Sequence, residues 1–395
     1  MSKLRIGIVG MGGMGNGHAG NITGAKARDF ELSAVADIEA DKAEAAGDKY
    51  HVPHFADARE LYDSGLCDAV IIATPHYVHG PQVIMAARAG LHVLCEKPLE
   101  SRIGVARAMV KECRKRHKVL GTVFQHRTRG IMIKARQLVQ SGRIGEIFHT
   151  RMTCPNWFRT QAYYNNGEWR GTWDGEGGGV LINQMPHHLD LFQWIGGMPK
   201  RVVATLATRD HDIEVEDTAN ILLDYGDGKN GYIYASTAHE PGGEQIVFCG
   251  EKGTLIIEND KLRMGKLRIS VHDHIHAGTS ADAVRDASGG KQKATWSNVS
   301  YPARKGKVGH LEIVRGFVKQ VQTGKGLYAT GEDALGELEL SNAAYVSGFG
   351  GKFVDLPLDA DEIDRLIRKL ERERSTGRGG ALRKAADREL KKLLK

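Results

Sequence analysis

A short apolar strand running straight into a cluster of glycines constrains this chain more than any other feature. Leu4, Ile6, Ile8 and Val9 form a run too short for a helix and suited to a strand buried on both faces of a parallel sheet. It leads directly into Gly10-Met11-Gly12-Gly13-Met14-Gly15. In such a Gly-x-Gly-x-x-Gly turn, Gly10 makes the tight bend, Gly12 lets a pyrophosphate approach the backbone, and Gly15 lets the following helix pack close. The free N–H groups and positive dipole end of that helix then face the phosphates. A chain with 49 glycines produces such patterns by chance, so the context decides. A second strand, Phe30 to Asp37, ends in an acid 22 residues after Gly15, near the spacing of about 20 expected for the carboxylate on the adenosine ribose. Ile38 and Glu39 follow, with no arginine to receive a 2′-phosphate. The reading is a dinucleotide site that takes NAD.

Strand and helix then alternate. A helical stretch from Ile38 to Lys49 precedes the strand Asp68–Ala73, which empties into Ala73-Thr74-Pro75-His76 and on to His79. A helix beginning near Pro81 stops at Gly90. Leu91–Cys95 is a strand ending in Glu96-Lys97-Pro98; a helix over Arg102–His117 and a strand over Val119–Phe124 lead to Gln125. This is the pattern of a doubly wound parallel sheet over residues 1–125, in which ligands sit at the carboxyl ends of the strands. The glycine turn, Asp37, Thr74–His79, Glu96-Lys97 and Gln125 all fall at such ends.

Beyond Arg127 the pattern changes. A helix (Gly130–Gln140) and a strand (Glu146–Thr153) precede a loop rich in Trp, Tyr and Asn up to Gly179, then a helix carrying Leu181 to Trp194. Strands with turn signals between Arg201 and Ile269 suggest an antiparallel sheet. His272, His274 and His276 alternate on an expected strand, as a metal site requires, but a polar sheet face explains them equally and no metal is expected. Residues 278–308 read as a loop, with helices from His310 and Gly331 and a strand over Lys352–Leu358. A charged helix, a break at Gly377–Gly380 and a basic helix close the chain.

The net charge of +7 does not point to nucleic acid: residues 361–395 carry 12 Lys+Arg against 7 Asp+Glu, which leaves +2 for everything before them. That tail is expected to be dispensable for chemistry and to contact another subunit or another part of its own chain, through Ile363, Leu366, Ile367, Leu370, Leu382, Leu390, Leu393 and Leu394. No apolar run approaches the ~20 residues of a membrane span, and no apolar leader precedes Leu4. Cys67, Cys95, Cys113, Cys154 and Cys249 form no C-x-x-C pair. These features fit a cytoplasmic protein with reduced thiols.

Glu96-Lys97-Pro98, with Ala73-Thr74-Pro75 one strand earlier, resembles the Gfo/Idh/MocA family of sugar and polyol oxidoreductases. The resemblance continues through Gly177-Gly-Gly-Val-Leu-Ile-Asn183-Gln-Met-Pro-His187-His-Leu-Asp190, Gly331-Glu-Asp-Ala-Leu and the closing Val354-Asp-Leu-Pro357. It implies an α/β architecture: an N-terminal Rossmann domain and a C-terminal α+β domain (residues 126–358) with a large open, mostly antiparallel sheet. Residues 359–395 are an extension outside it. It further implies NAD(H) or NADP(H) between the domains, Lys97 and His187 as catalytic residues, a cis bond before Pro98 that directs the lysine, and a homodimer or homotetramer. Asn183 stands where many members have Asp, and it cannot carry a negative charge.

The chemistry is coherent without the resemblance. A neutral His187 can accept a hydroxyl proton, and the Lys97 ammonium can stabilise the developing alkoxide. Positions 183 and 187 are four apart and, on one helix, would share a face. Cofactor contacts are expected from Gly10–Gly15, Asp37, Ile38, Ala73–His76, His79, Glu96, Lys97 and Gln125. Substrate contacts are expected from Lys97, Asn183 and His187; for Arg127, Trp157, Tyr163, Trp169, Arg170 and His310, contact and plain packing are equally open. Asp190 reads as a brace. The expected activity is NAD-dependent oxidation of a secondary hydroxyl on a sugar, glycoside or cyclic polyol. The rivals are a redox-assisted glycoside lyase or hydrolase with recycled NAD, and a non-catalytic sugar or NAD sensor.

Overall fold

The computed structural model describes residues 3–277, 292–375 and 380–394. The first sheet is parallel, with strand order β3-β2-β1-β4-β5-β6. In chain order its elements are β1 (Leu4–Val9), α1 (Gly13–Ala25), β2 (Phe30–Ala36), α2 (Ala40–Tyr50), β3 (His54–Phe55), α3 (Ala58–Asp63), β4 (Ala69–Ile72), α4 (His79–Arg88), β5 (His92–Cys95), α5 (Ile103–Lys115) and β6 (Leu120–Thr122). The order reverses between β1 and β4, which places the glycine turn at the crevice such sheets use for ligands. Ile6, Ile8, Val70, Ile71, Val93 and Leu94 are fully buried, and each such side chain contributes roughly 1.5–3 kcal/mol. Gly10 has φ +93°, and a Cβ there would lie 2.7 Å from the Ala73 carbonyl oxygen. A Cβ on Gly15 would come within 1.8 Å of the Gly10 carbonyl oxygen, so strand and helix meet only because both residues are glycine.

The second sheet has nine strands in the order β14-β13-β12-β11-β7-β10-β9-β8-β15. Its chain order is α6 (Gly130–Gln140), β7 (Ile147–Cys154), α7 (Gln161–Asn165), α8 (Val180–Asn183), α9 (Pro186–Gly196), β8 (Arg201–Ala207), β9 (Thr218–Gly226), β10 (Lys229–Ser236), β11 (Gln245–Gly250), β12 (Gly253–Glu258), β13 (Lys261–Lys266), α10 (Val271–Ile275), β14 (Thr295–Asn298), α11 (His310–Thr323), α12 (Gly331–Gly350), β15 (Val354–Asp355), α13 (Ala360–Arg374) and α14 (Gly380–Leu393). Only β7 and β10 pair in parallel; every other ladder is antiparallel. α12 starts on a capping box between Thr330 and Asp333. It bridges the two sheets: Asn342 accepts from the Ile103 N–H (2.8 Å) and donates to the Ser101 carbonyl (3.0 Å).

Four sequence expectations change. The helix expected over Leu181–Trp194 is two helices, because Pro186 cannot donate into a continuing helix and instead opens α9. The strand expected to carry His272, His274 and His276 is the short helix α10, whose Ser270 cap accepts from the Asp273 N–H at 3.0 Å. His272 and His276 sit one turn apart with ring centroids 4.6 Å from each other, so the three imidazoles do not line one strand face. Within the 278–308 stretch read as loop, residues 278–291 lie outside the described residues and Thr295–Asn298 form β14. Finally, α11 turns back onto the first sheet, where Ile313, Val314, Phe317 and Val318 join the core of Ile6, Ile8, Phe30 and Leu94.

The tail folds onto its own chain. The break at Gly377–Gly380 falls largely outside the described residues, as does the Leu382 side chain. Ile363, Ile367, Leu370 and Leu390 are buried. Arg102 pairs with Asp387 (2.8 Å) and Arg59 with Glu389 (2.7 Å), which clamps α14 to the first half of the chain. Ile367→Ala should therefore cost about 2–4 kcal/mol, read as a lower midpoint in urea unfolding; a midpoint unchanged from the parent would mean that α13 contributes nothing to the folded state.

Candidate active site

The glycine turn is built to receive phosphates. α1 begins at Gly12 without a side-chain cap and with no acid in its first turn, so its N–H groups have no competing anion. A Cβ on Gly12 or Gly13 would meet nothing within 4 Å, which leaves the backbone open on that side. Asp37, just past the end of β2, accepts from the Met11 N–H (2.7 Å) and the Glu39 N–H (2.9 Å), which fixes the carboxylate against the turn. Ile38 is exposed, Met14 is exposed and the Met11 side chain is buried. Ala73 bonds Val9, and Thr74 beyond it has a buried hydroxyl with no hydrogen-bond partner among the described residues. An uncapped helix start, open glycines and an unpaired hydroxyl together fit a dinucleotide.

Pro75 leads into a 3₁₀ turn over His76–Val78. The His76 ring lies edge-on to Trp169 at 5.5 Å, and its Nδ1 is 3.2 Å from the Glu176 carbonyl oxygen. Both ring nitrogens of His79 are engaged by the protein itself. They lie against the Thr74 and Pro98 carbonyls (2.9 and 3.0 Å), so the fully buried ring ties two loops together. Glu96 is buried against His18 at 2.7 Å, and its second oxygen accepts from the Lys97 N–H. His310 is edge-on to that His18 at 5.6 Å.

Lys97 precedes a cis peptide to Pro98. Its Nζ donates to the Asn183 carbonyl at 2.9 Å. Burial lowers its pKa, against the opposing pull of the Glu96, Glu176 and Glu337 carboxyls. Asn183 is the last residue of α8, a one-turn helix whose start is capped from afar. The buried Glu216 accepts from the Gly179 and Leu181 N–H groups (3.0 Å each) and from the Tyr345 hydroxyl (2.7 Å). His187 enters from α9, a separate helix, so it does not share a helix face with Asn183. It is buried, stacks on His126 with ring centroids 4.6 Å apart, and lies 3.1 Å from the Gln125 amide nitrogen. Burial, then the Lys97 charge, holds its pKa well below the ordinary histidine value.

The aromatic loop supplies one wall. Asn183 Nδ2 and Arg170 both donate to the Tyr163 hydroxyl (3.3 and 2.6 Å), and the Arg170 guanidinium stacks on the Tyr163 and Trp169 rings. Trp157 is edge-on to His188, the residue after His187, at 5.8 Å. Arg127 is not part of the cleft. It is 1% exposed and binds Asp190 through two hydrogen bonds (2.8 and 2.6 Å) and the Tyr328 carbonyl (3.0 Å).

Two acids here have no signal in the sequence. Glu176 is 1% exposed; it accepts from the Gly171 N–H at 2.7 Å and from Asn183 Nδ2. Burial pushes its pKa up to about 7. Glu337, on α12, is fully buried with neither carboxyl oxygen paired among the described residues, and burial raises its pKa well above the ordinary value. Glu176 stands just before the Gly177-Gly-Gly motif and Glu337 two residues after Gly331-Glu-Asp-Ala-Leu, yet neither motif includes them, and the fold is what shows that they converge on Lys97.

A Rossmann sheet, an open second sheet and this lysine-centred cleft define an oxidoreductase. Family models match residues 4–124 (oxidoreductase family, NAD-binding Rossmann fold) and 132–256 (GFO/IDH/MocA C-terminal domain). The chain belongs to the Gfo/Idh/MocA family of oxidoreductases. Among curated relatives it is 25% identical to the myo-inositol 2-dehydrogenase of Thermotoga maritima, over 86% of this chain and 95% of that protein. It is 32% identical to the D-glucoside 3-dehydrogenase of Escherichia coli, over 50% of this chain and 55% of that one. The WlbA dehydrogenase of Bordetella pertussis, solved with NADH and UDP-GlcNAcA, superposes with a TM-score of 0.74 at 28% identity, over 90% of this chain and 100% of that one.

Arg127→Ala should leave the buried Asp190 without its partner and cost about 3–5 kcal/mol of stability. Equilibrium unfolding checks this, and a loss of activity with unchanged stability would instead return Arg127 to the cleft.

Proposed function

We propose that this chain oxidises a secondary hydroxyl of a sugar, glycoside or cyclic polyol, with NAD as the hydride acceptor. Residues 1–125 are assigned to the cofactor and 126–358 to the substrate. The observation that carries the reading is the pairing of a partly buried Lys97, anchored on Asn183, with a His187 kept neutral by burial and by that same lysine. In this scheme Lys97 donates to the substrate oxygen and stabilises the negative charge that develops on it. His187 takes the hydroxyl proton. Asn183, Tyr163 and Arg170 orient the neighbouring hydroxyls, and Trp157, Trp169 and His310 line the cleft around them. Bound NAD would lie on Gly10–Gly15, Asp37 and the Thr74–His76 turn and would receive the hydride. The relatives that oxidise inositol and glucosides, and the WlbA complex, support a cyclic polyhydroxylated substrate. A redox-assisted lyase needs a further acid or base placed for a leaving group; no observation favours that reading, and a sensor needs neither Lys97 nor His187.

A panel of inositols, pyranoses and glycosides with NAD, followed by nicotinamide absorbance and product analysis, tests this directly. Reduced nicotinamide should form in proportion to ketone. Glycoside cleavage at constant absorbance would overturn the assignment. NADP should be used about 10- to 100-fold less efficiently, because Asp37 faces the 2′-phosphate with like charge; equal use of both cofactors would remove Asp37 from the ribose site.

Lys97→Met should fold, bind NAD and lose roughly 100- to 1000-fold in kcat. His187→Ala should lose about 100- to 10,000-fold. A base works only when unprotonated and this pKa is depressed, so the parent's acid limb in kcat/KM should lie well below the ordinary histidine range and should vanish in His187→Ala. A limb that survives that substitution assigns proton removal to another group.

A further inference from the structure

Lys97 must remain an ammonium to hold a developing alkoxide, yet burial works against its charge. Three carboxyls favour the charge. Glu96 is committed to His18 and to the Lys97 backbone, and Glu337 is fully buried with neither oxygen paired among the described residues, so no hydrogen bond there links it to the lysine and an ionised carboxylate is costly. Glu176 is different. Its carboxyl is hydrogen-bonded to the side chain of Asn183, and the backbone carbonyl of Asn183 receives the Lys97 ammonium at 2.9 Å. The Gly171 N–H pins its other oxygen, and its own backbone carbonyl is held by His76.

We propose that Glu176 is a positioning residue for the dehydrogenase reaction: its carboxylate, joined to Lys97 through Asn183, keeps the lysine protonated and fixed in direction. The inference rests on the reading of Lys97 as the group that holds the substrate oxygen. The groups facing Glu176 from every side are consistent with a carboxylate there. Lys97 comes from the end of β5 and Arg170 from the aromatic loop, and both are cations that favour its ionised form. His76 is held neutral by burial. Tyr164 on α7 and Tyr345 on α12 are held protonated by burial, and Tyr163 reaches it only through Asn183. With its pKa near 7, Glu176 gains its charge as pH rises through neutrality, and that charge opposes the release of a proton that burial of Lys97 favours. The proton ledger closes on these groups: the substrate hydroxyl gives its proton to His187, while Lys97 keeps its own and only shares it.

The test reads Lys97 directly. The pH dependence of Lys97 acylation by an amine-reactive reagent, measured by peptide mass spectrometry on the full chain without substrate, gives the amine midpoint. In Glu176→Gln that midpoint should fall by about one pH unit or more, and the alkaline limb of kcat/KM should move down with it. The double variant Glu176→Gln/Asn183→Asp keeps both hydrogen bonds: the new amide accepts from the Gly171 N–H and donates to the new carboxylate, so the charge moves by one side chain. It should restore the midpoint. An unchanged midpoint in folded Glu176→Gln overturns the proposal. If that variant does not fold, a midpoint one unit below the parent's in the folded double variant overturns it instead. A purely structural role would change stability and leave both midpoint and limb in place. Absence of turnover on every sugar would sink the dehydrogenase reading, yet it would leave the amine titration readable, so the two failures are separable.

Discussion

A cation drawn out of water sets the terms for everything around it. The desolvation penalty for an ammonium is several kcal/mol unless charges and hydrogen bonds replace the lost water. Lys97 meets that demand with groups from separate parts of the chain: Glu96 from the end of β5, Asn183 from α8, Glu176 from the aromatic loop and Glu337 from α12. Glu96 is next to the lysine in sequence, but Glu176 and Asn183 lie about 80 residues on and Glu337 about 240. The two sheets must therefore be held in one relation before the site exists. Asn342 binding Ser101 and Ile103, the Thr122 N–H on the Ala329 carbonyl, and α11 in the first core all serve that end. The same charge then acts outward on His187 and helps hold it neutral. One cation thus favours a neutral His187 and an ionised Glu176, which sets these two titratable groups in different charge states at one pH.

What could be read from the chain follows from which interactions are local. A parallel strand buried on both faces is an uninterrupted apolar run, and Gly10, Gly15, Pro81 and Gly90 punctuate at positions with fixed geometric meaning. The first sheet and its cofactor turn were therefore legible almost residue by residue. Lys97, Asn183 and His187 were legible through short motifs. The continuity of the helix between the last two was not: apolar periodicity runs across Pro186, and only the missing N–H at that residue ends one helix and starts the next. Ser270-Val-His-Asp273 carries the cap that makes α10 a helix, a local signal weaker than the alternation of the three histidines.

The buried acids were hidden for a different reason. Glu176, Glu216 and Glu337 look like surface glutamates, since charge alone says nothing of burial. Glu216 caps a helix that begins 37 residues before it in sequence, at Gly179, so no local pattern links cap to helix. Arg127, for which contact and packing were equally open, shows the opposite case. It stands just after a strand end, where ligand-binding residues gather, yet the long guanidinium reaches past the cleft to Asp190.

Arg127 and Lys97 show what separates a buried charge that holds a fold from one that works. The guanidinium of Arg127 places three of its nitrogens on Asp190 and Tyr328 in a fixed fork, and the paired carboxylate is buried with it. Such a pair is closed, and a ligand could enter only by breaking it. The Lys97 ammonium carries three N–H donors, and the Asn183 carbonyl takes one. Its counter-charges lie at one remove, through Asn183 or across Glu96, so they favour the ammonium without occupying its remaining donors. On the proposed reading of Lys97, a substrate oxygen would bind where those donors point, at little cost to the groups that keep the lysine charged. Thr74, whose buried hydroxyl has no hydrogen-bond partner among the described residues, meets the same criterion beside the glycine turn.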